Sequence, residues 1–179
     1  MKILGIDPGI GRLGFGQVVV QSSKFKVQSY GCFETHKERE QREQMYQKYQ
    51  SENTGDDDGR RLYEIHCFLK KLIEKEKPDE VAVESLFFAQ NVKTAMMVSQ
   101  ARGAILLTIA QAGLPAFSYT PLQVKQALTG YGRAEKKQVQ KMVQVVLGMK
   151  EVPKQDDAAD ALAVAVCHSF SRKLSKLMK

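Results

Sequence analysis

Lys2-Ile3-Leu4-Gly5-Ile6-Asp7-Pro8-Gly9 is the stretch on which the fold turns. Apolar residues run almost unbroken from Ile3 to Ile6, which suits a strand buried on both faces of a central sheet. The run delivers a carboxylate, Asp7, at the strand's end. Pro8-Gly9 then makes a tight turn, with Pro fixing φ and Gly free to take positive φ. A carboxylate buried there needs a metal ion or another cation as partner. For an isolated Asp-Pro-Gly a turn cap is the better reading. Three later segments change the balance.

Around this strand, 179 residues fit one domain, 1–179, with a real core. The 27 basic and 20 acidic residues leave +7, which favours a polyanionic partner. No apolar run is long enough to span a membrane. The first apolar run leads into a strand rather than a signal peptide, so a cytoplasmic protein is expected. Cys32, Cys67 and Cys167 are odd in number and widely spaced, and they read as reduced thiols. His36, His66 and His168 show no metal-ligand spacing.

Leu13 to Val20 and Lys24 to Phe33 read as two more strands, the first joined to the opening strand by a glycine-rich hairpin. That connection matches neither a P-loop nor the dinucleotide fingerprint. His36 to Gly59 reads as a charged, solvated excursion with few apolar anchors. It holds four basic and seven acidic residues, so the rest of the chain carries +10. The basic character belongs to the folded body.

From Arg60 a helical stripe appears in Leu62, Ile65, Leu69, Leu72 and Ile73, and Pro78 ends it. Val81-Ala82-Val83 is a short buried strand that delivers Glu84, repeating the pattern of Asp7. Thr94 to Ala112 reads as a long helix whose small residues, Gly103 among them, permit close packing. Leu114 to Tyr119 is a further strand, and Pro121 starts another helix. The next helix begins near Ala134 and is capped by Gly148. Between Pro121 and Lys154 seven Lys or Arg residues face only Glu135 and Glu151, a surface as suited to phosphates as to water.

The last segment is Gln155-Asp156-Asp157-Ala158-Ala159-Asp160, leading into an alanine-rich helix. Asp157 and Asp160 share a face at i, i+3, and Asp156 and Asp160 share one at i, i+4. Carboxylates so close repel unless a cation lies between them. One Asp is enough to cap the helix; three exceed that need. Two strand-end carboxylates and a pair on a late helix are thus expected to converge on one spot at the sheet's C-terminal edge. Such oxygen donors, without His or Cys, suit Mg²⁺ or Mn²⁺ rather than zinc. Beside a basic body they point to two-metal phosphodiester hydrolysis.

The chain resembles the RuvC family of Holliday-junction endonucleases, within the ribonuclease H-like superfamily. Ile3–Gly16, Val83–Gly113, Gln123–Val143 and Asp157–His168 carry the resemblance. Its specific marks are Gln100-Ala101-Arg102-Gly103, Gln123-Val124-Lys125-Gln126 and Asp157-Ala158-Ala159-Asp160-Ala161-Leu162-Ala163, together with Gly-Ile-Asp-Pro-Gly at the start. It implies an α/β fold with a five-stranded mixed sheet flanked by helices. It also implies a homodimer, and resolution of four-way DNA junctions by paired symmetric nicks with two Mg²⁺ per site, Mn²⁺ able to substitute.

By the resemblance, Asp7, Glu84, Asp157 and Asp160 are the metal-binding acids, with Asp157 chosen over Asp156. Lys125 and Lys136 fall on lysines near the scissile phosphate. Phe87 falls on an aromatic that stacks on a base at the junction centre. Thr94 to Ala112 falls on the dimer helix. A branch-migration motor, the RuvA and RuvB proteins, enters as a candidate partner by the same analogy. Two other classes compete. A catalytically silent DNA-binding relative is disfavoured by the complete set of acids. An actin-like or sugar-kinase-like ATPase needs a second phosphate loop and a longer, two-lobed chain.

Overall fold

β1 (Lys2–Asp7) lies at the centre of a mixed sheet, with Ile3, Leu4 and Ile6 fully buried. Its antiparallel neighbour is β2 (Arg12–Gln21), which pairs in turn with the outer strand β3 (Lys24–Glu34). On its other side β1 pairs in parallel with β4 (Glu80–Glu84), and β4 with β5 (Ala116–Tyr119). The order is β3-β2-β1-β4-β5. The computed structural model describes residues 1–22, 24–35, 57–85 and 92–177.

Side chains alternate across a strand, so each strand feeds two cores. Leu4, Ile6, Val81 and Val83 meet helices α1 (Asp57–Glu76) and α2 (Val92–Gln111) on one face. Ile3 and Ala82 meet α3 (Pro121–Thr129), α4 (Lys136–Leu147) and α5 (Asp156–Leu177) on the other. By the same parity Asp7 and Glu84 belong to the α5 face. The mixed five-stranded sheet is thus as expected. No helix among the described residues is long and apolar enough to cross a membrane.

Four details depart from the sequence reading. Asp57-Asp58-Gly59 form the first turn of α1 rather than the end of an excursion, and residues 36–56 lie outside the described ones. Gly9 does not adopt positive φ; it is needed because a Cβ there would run into the Arg12 carbonyl. Glu135, not Ala134, borders α4, as its N-cap. Gly103 lies exposed on α2, and nothing among the described residues comes within 4 Å of a Cβ placed there.

α5 crosses the sheet at very short range. Gly14 sits under the Asp157 backbone, and a Cβ on Gly16 would come 2.7 Å from two Leu162 side-chain atoms. These glycines read in the sequence as a hairpin, but their packing role is to make room for a helix.

Candidate active site

Asp7 and Glu84 end neighbouring parallel strands, Ile6 being paired with Val83 one residue earlier. Both side chains therefore emerge together at the carboxyl edge of the sheet, where open α/β sheets bind ligands. Gly14, the β2 partner of Asp7, holds the Asp157 backbone against that edge. The first turns of α5 thus stand above Asp7. Four carboxylates, from residues 7, 84, 157 and 160, meet across 153 positions of sequence.

Their electrostatics are those of crowded anions. Burial is the main reason the Asp7 pKa is pushed up to about 6, with Asp160 and Asp157 adding repulsion. Burial, then the Asp7 charge, pushes Glu84 up to about 8. The two share a hydrogen bond in which Glu84, the weaker acid, donates to Asp7. Burial also raises Asp160, against the pull of Lys136. One proton and one ammonium hold together a cluster that repels itself.

That ammonium is Lys136, at the first position of α4. Its Nζ stands 2.9 Å from Asp160 Oδ2 and 3.3 Å from Asp156 Oδ2. Partial burial works against the Lys136 charge, but the two aspartates outweigh it and raise its pKa. Asp156 is 64% exposed and accepts a 2.9 Å bond from Gln140 Nε2, which with Lys136 lowers its pKa. It faces the rim, whereas Asp160 faces inward. Lys125, half-buried on α3, forms no ion pair with the acids among the described residues. Phe87 lies outside the described residues.

Two groups of contacts had no signal in the sequence. Arg12 Nε stands 3.4 Å from Asp157 Oδ2, and Cys32 Sγ stands 3.7 Å from the same oxygen. Burial and the nearby Asp157 charge push the Cys32 thiol up to about 11, so it stays protonated. The second is a hydrogen-bonded chain through the buried His168 ring. The Tyr119 hydroxyl bonds His168 Nδ1 at 2.7 Å, His168 Nε2 bonds Glu80 Oε2 at 2.6 Å, and Arg172 closes on the other Glu80 oxygen. Residues 49 to 92 positions apart meet there, beyond the reach of any local pattern.

Among the described residues no three His, Cys, Asp or Glu side chains already form a metal-holding group. Asp7 and Glu84 bond to each other, while Asp157 and Asp160 turn to Arg12 and Lys136. The donor set nonetheless fits a hard divalent cation. It consists of carboxylate oxygens, and burial together with mutual repulsion raises the pKa values of Asp7, Glu84 and Asp160.

The model of the crossover junction endodeoxyribonuclease RuvC matches residues 49–168. The chain belongs to the RuvC family. A crossover junction endodeoxyribonuclease RuvC of Syntrophomonas wolfei is 46% identical over 179 residues, all of this chain and 94% of that one. In three dimensions the chain is similar to Thermus thermophilus RuvC, with a TM-score of 0.81 and 34% identity over 98% of this chain and 97% of that one. The T. thermophilus RuvC in complex with Holliday junction substrate is similar at a TM-score of 0.78 and 32% identity, over 97% and 96% of the two chains. The family membership expected from the sequence therefore holds, as does its fold.

Proposed function

We propose that this chain is the metal-dependent endonuclease that resolves four-way DNA junctions by paired nicks. Asp7, Glu84, Asp157 and Asp160 are its metal-binding acids, and Lys136 assists at the phosphate. The observation that carries the reading is the meeting of carboxylates from β1, β4 and α5 with the Lys136 ammonium, in a member of this family.

Bound divalent cations, Mg²⁺ in this reading with Mn²⁺ able to substitute, supply activation of the attacking water and charge compensation at the leaving oxygen. The chain's own groups do the rest. Asp7 is the central acid, flanked by Glu84 on the sheet and by Asp160 above it. Asp7, Glu84, Asp157 and Asp160 would hold the cations as carboxylates, so Glu84 would bind in its ionised form. Lys136, whose ammonium already stands at Asp160, is placed to offset charge on a phosphate oxygen held at the acids. Phe87 is assigned to the junction centre, and Lys125 to the DNA backbone, on the family resemblance.

A homodimer built on α2 places two such sites about a two-fold axis, matching the symmetry of a four-way junction. Met96 and Leu107 support it: they are 62% and 59% exposed on α2, with Gly103 open between them. We place the enzyme in the cytoplasm, where the RuvA and RuvB proteins are candidate partners.

The decisive experiment incubates the chain with a synthetic four-way junction and a linear duplex of the same sequence, with and without Mg²⁺, beside an ATPase assay. Symmetric nicks in the junction alone, dependent on Mg²⁺, are expected. ATP turnover without nicking would refute the reading.

A further inference from the structure

We propose that the groove between β3 and the loop joining α4 to α5 holds the DNA strand that flanks the scissile phosphate. The proposal rests on the junction-nuclease reading. The groove encloses about 890 Å³. Its floor includes Tyr30 and Ala158, and Lys26, Lys150 and Lys154 stand at its rim against a single acid, Glu151.

Three features make this a track for a polyanion. The first is continuity with the acidic centre. Ala158 follows Asp157 directly, and Tyr30 lies two residues before Cys32, whose thiol touches the Asp157 carboxylate. A strand seated with one phosphate at the acids has this groove as an adjoining path. The second is charge that no salt bridge among the described residues engages. Lys26, Lys150 and Lys154 are all exposed, and the salt bridges of this region engage Lys136 and Arg12 instead.

The third feature is a rim held in place before any ligand arrives. Gly148 caps α4 in the left-handed conformation, Gln144 Nε2 donates to the Lys150 carbonyl at 2.8 Å, and Pro153 is buried. Tyr30, 46% exposed, offers an aromatic face to sugar or base. An acidic peptide would satisfy the same lysines. The continuity with Asp157 favours the substrate strand.

The test compares two variants that lose the same charge: Lys26→Gln/Lys150→Gln/Lys154→Gln at the groove, and Lys70→Gln/Lys71→Gln/Lys75→Gln on α1, across the sheet. Binding of a synthetic four-way junction is measured against salt in EDTA. Each lost phosphate contact removes about 0.9 from the slope of log K against log salt, so the groove variant should lose about 2–3 and the α1 variant less than about 1. Equal slopes for both variants would overturn the proposal.

Lysine acetylation of the unmodified protein gives a second measurement that needs no variant. The junction should protect Lys26, Lys150 and Lys154 several-fold and leave Lys70 and Lys71 reactive. Full reactivity of the groove lysines in a complex that forms and cuts would sink the groove while leaving the nuclease reading intact. A protein that neither binds nor cuts junctions would sink both. Protection by a polyglutamate peptide but not by the junction would give the groove to a protein partner and overturn the proposal.

Discussion

Gly5 lies directly beneath Ala161: a Cβ on Gly5 would run into the Ala161 carbonyl oxygen and stand 3.0 Å from the Ala165 Cβ. This contact between β1 and α5 sets the height of the acidic helix above the sheet. Asp7 is two residues along the strand from Gly5, and Asp160 is one residue before Ala161. Separation of the strand and helix here moves half of the carboxylates away from the other half.

Gly5→Ala should therefore cost stability and function together. The obstacle is backbone, which cannot rotate aside, so a loss of about 3 kcal/mol or more is expected. Gly59→Ala, in the first turn of α1 with nothing within 4 Å of the new methyl, should be neutral or stabilising by up to about 1 kcal/mol. Thermal melting of the two variants checks both. Equal melting temperatures would show that α5 can lift without penalty.

Asp7→Asn, Glu84→Gln, Asp157→Asn and Asp160→Asn should each abolish junction cutting, while junction binding survives on phosphate contacts. Asp156→Asn should keep cutting within about tenfold, because Asp156 faces outward and is held at the rim by Lys136 and Gln140. The reverse ranking of Asp156 and Asp157 would mean that the register of α5 has been misjudged.

Lys136→Ala and Lys125→Ala separate two roles. Lys136 touches the acids, so its loss should lower the single-turnover rate by ~10² or more and affinity far less, as for a transition-state contact. Lys125 forms no ion pair with the acids among the described residues, and its loss should act mainly on affinity and its salt dependence. Identical rate and affinity losses for both would remove the distinction.

The Asp7–Glu84 pair makes stability depend on pH in a definite direction. Both pKa values are raised in the fold, to about 6 and about 8. The folded state then holds more protons than the unfolded one between the ordinary carboxylate range and pH 8. Stability is therefore present at low pH and lost as pH rises through that window. Glu84→Gln should melt higher than the parent at pH 8 without divalent metal, by at least about 2–4 °C for each kcal/mol relieved. The gap should close towards pH 4. A gap that widens on acidification would contradict the raised pKa values.

His168 acts with the opposite sign. Its ring is fully buried, and that burial lowers its pKa despite the Glu80 carboxylate beside it. The unfolded chain takes up a proton near pH 6.5 that the fold refuses, so stability falls as pH drops below that value. His168→Gln should be less stable than the parent at pH 7 but should lose less on going to pH 5. Urea titrations at the two pH values measure both differences.

The sequence by itself determined most of the elements and placed carboxylates at the ends of two strands and at the start of the last helix. Ile3 to Asp7 and Val81 to Glu84 declare buried strands that end in carboxylates, because an unbroken apolar run has no solvent face to spare. Asp157 to Ala165 declares a helix with an acidic start and a small-residue face. What the sequence left open were relations between residues far apart in the chain. Only the tertiary structure showed that Gly5, Gly14 and Gly16 are spaces for α5, since their need lies in a helix about 150 positions away. It alone set Lys136 against Asp160 and Arg12 against Asp157, and joined Tyr119, Glu80 and Arg172 around the buried His168 ring. Local periodicity reports which face of an element is buried. The partner that buries it is chosen by packing and charge between elements, and no short stretch of chain encodes that alone.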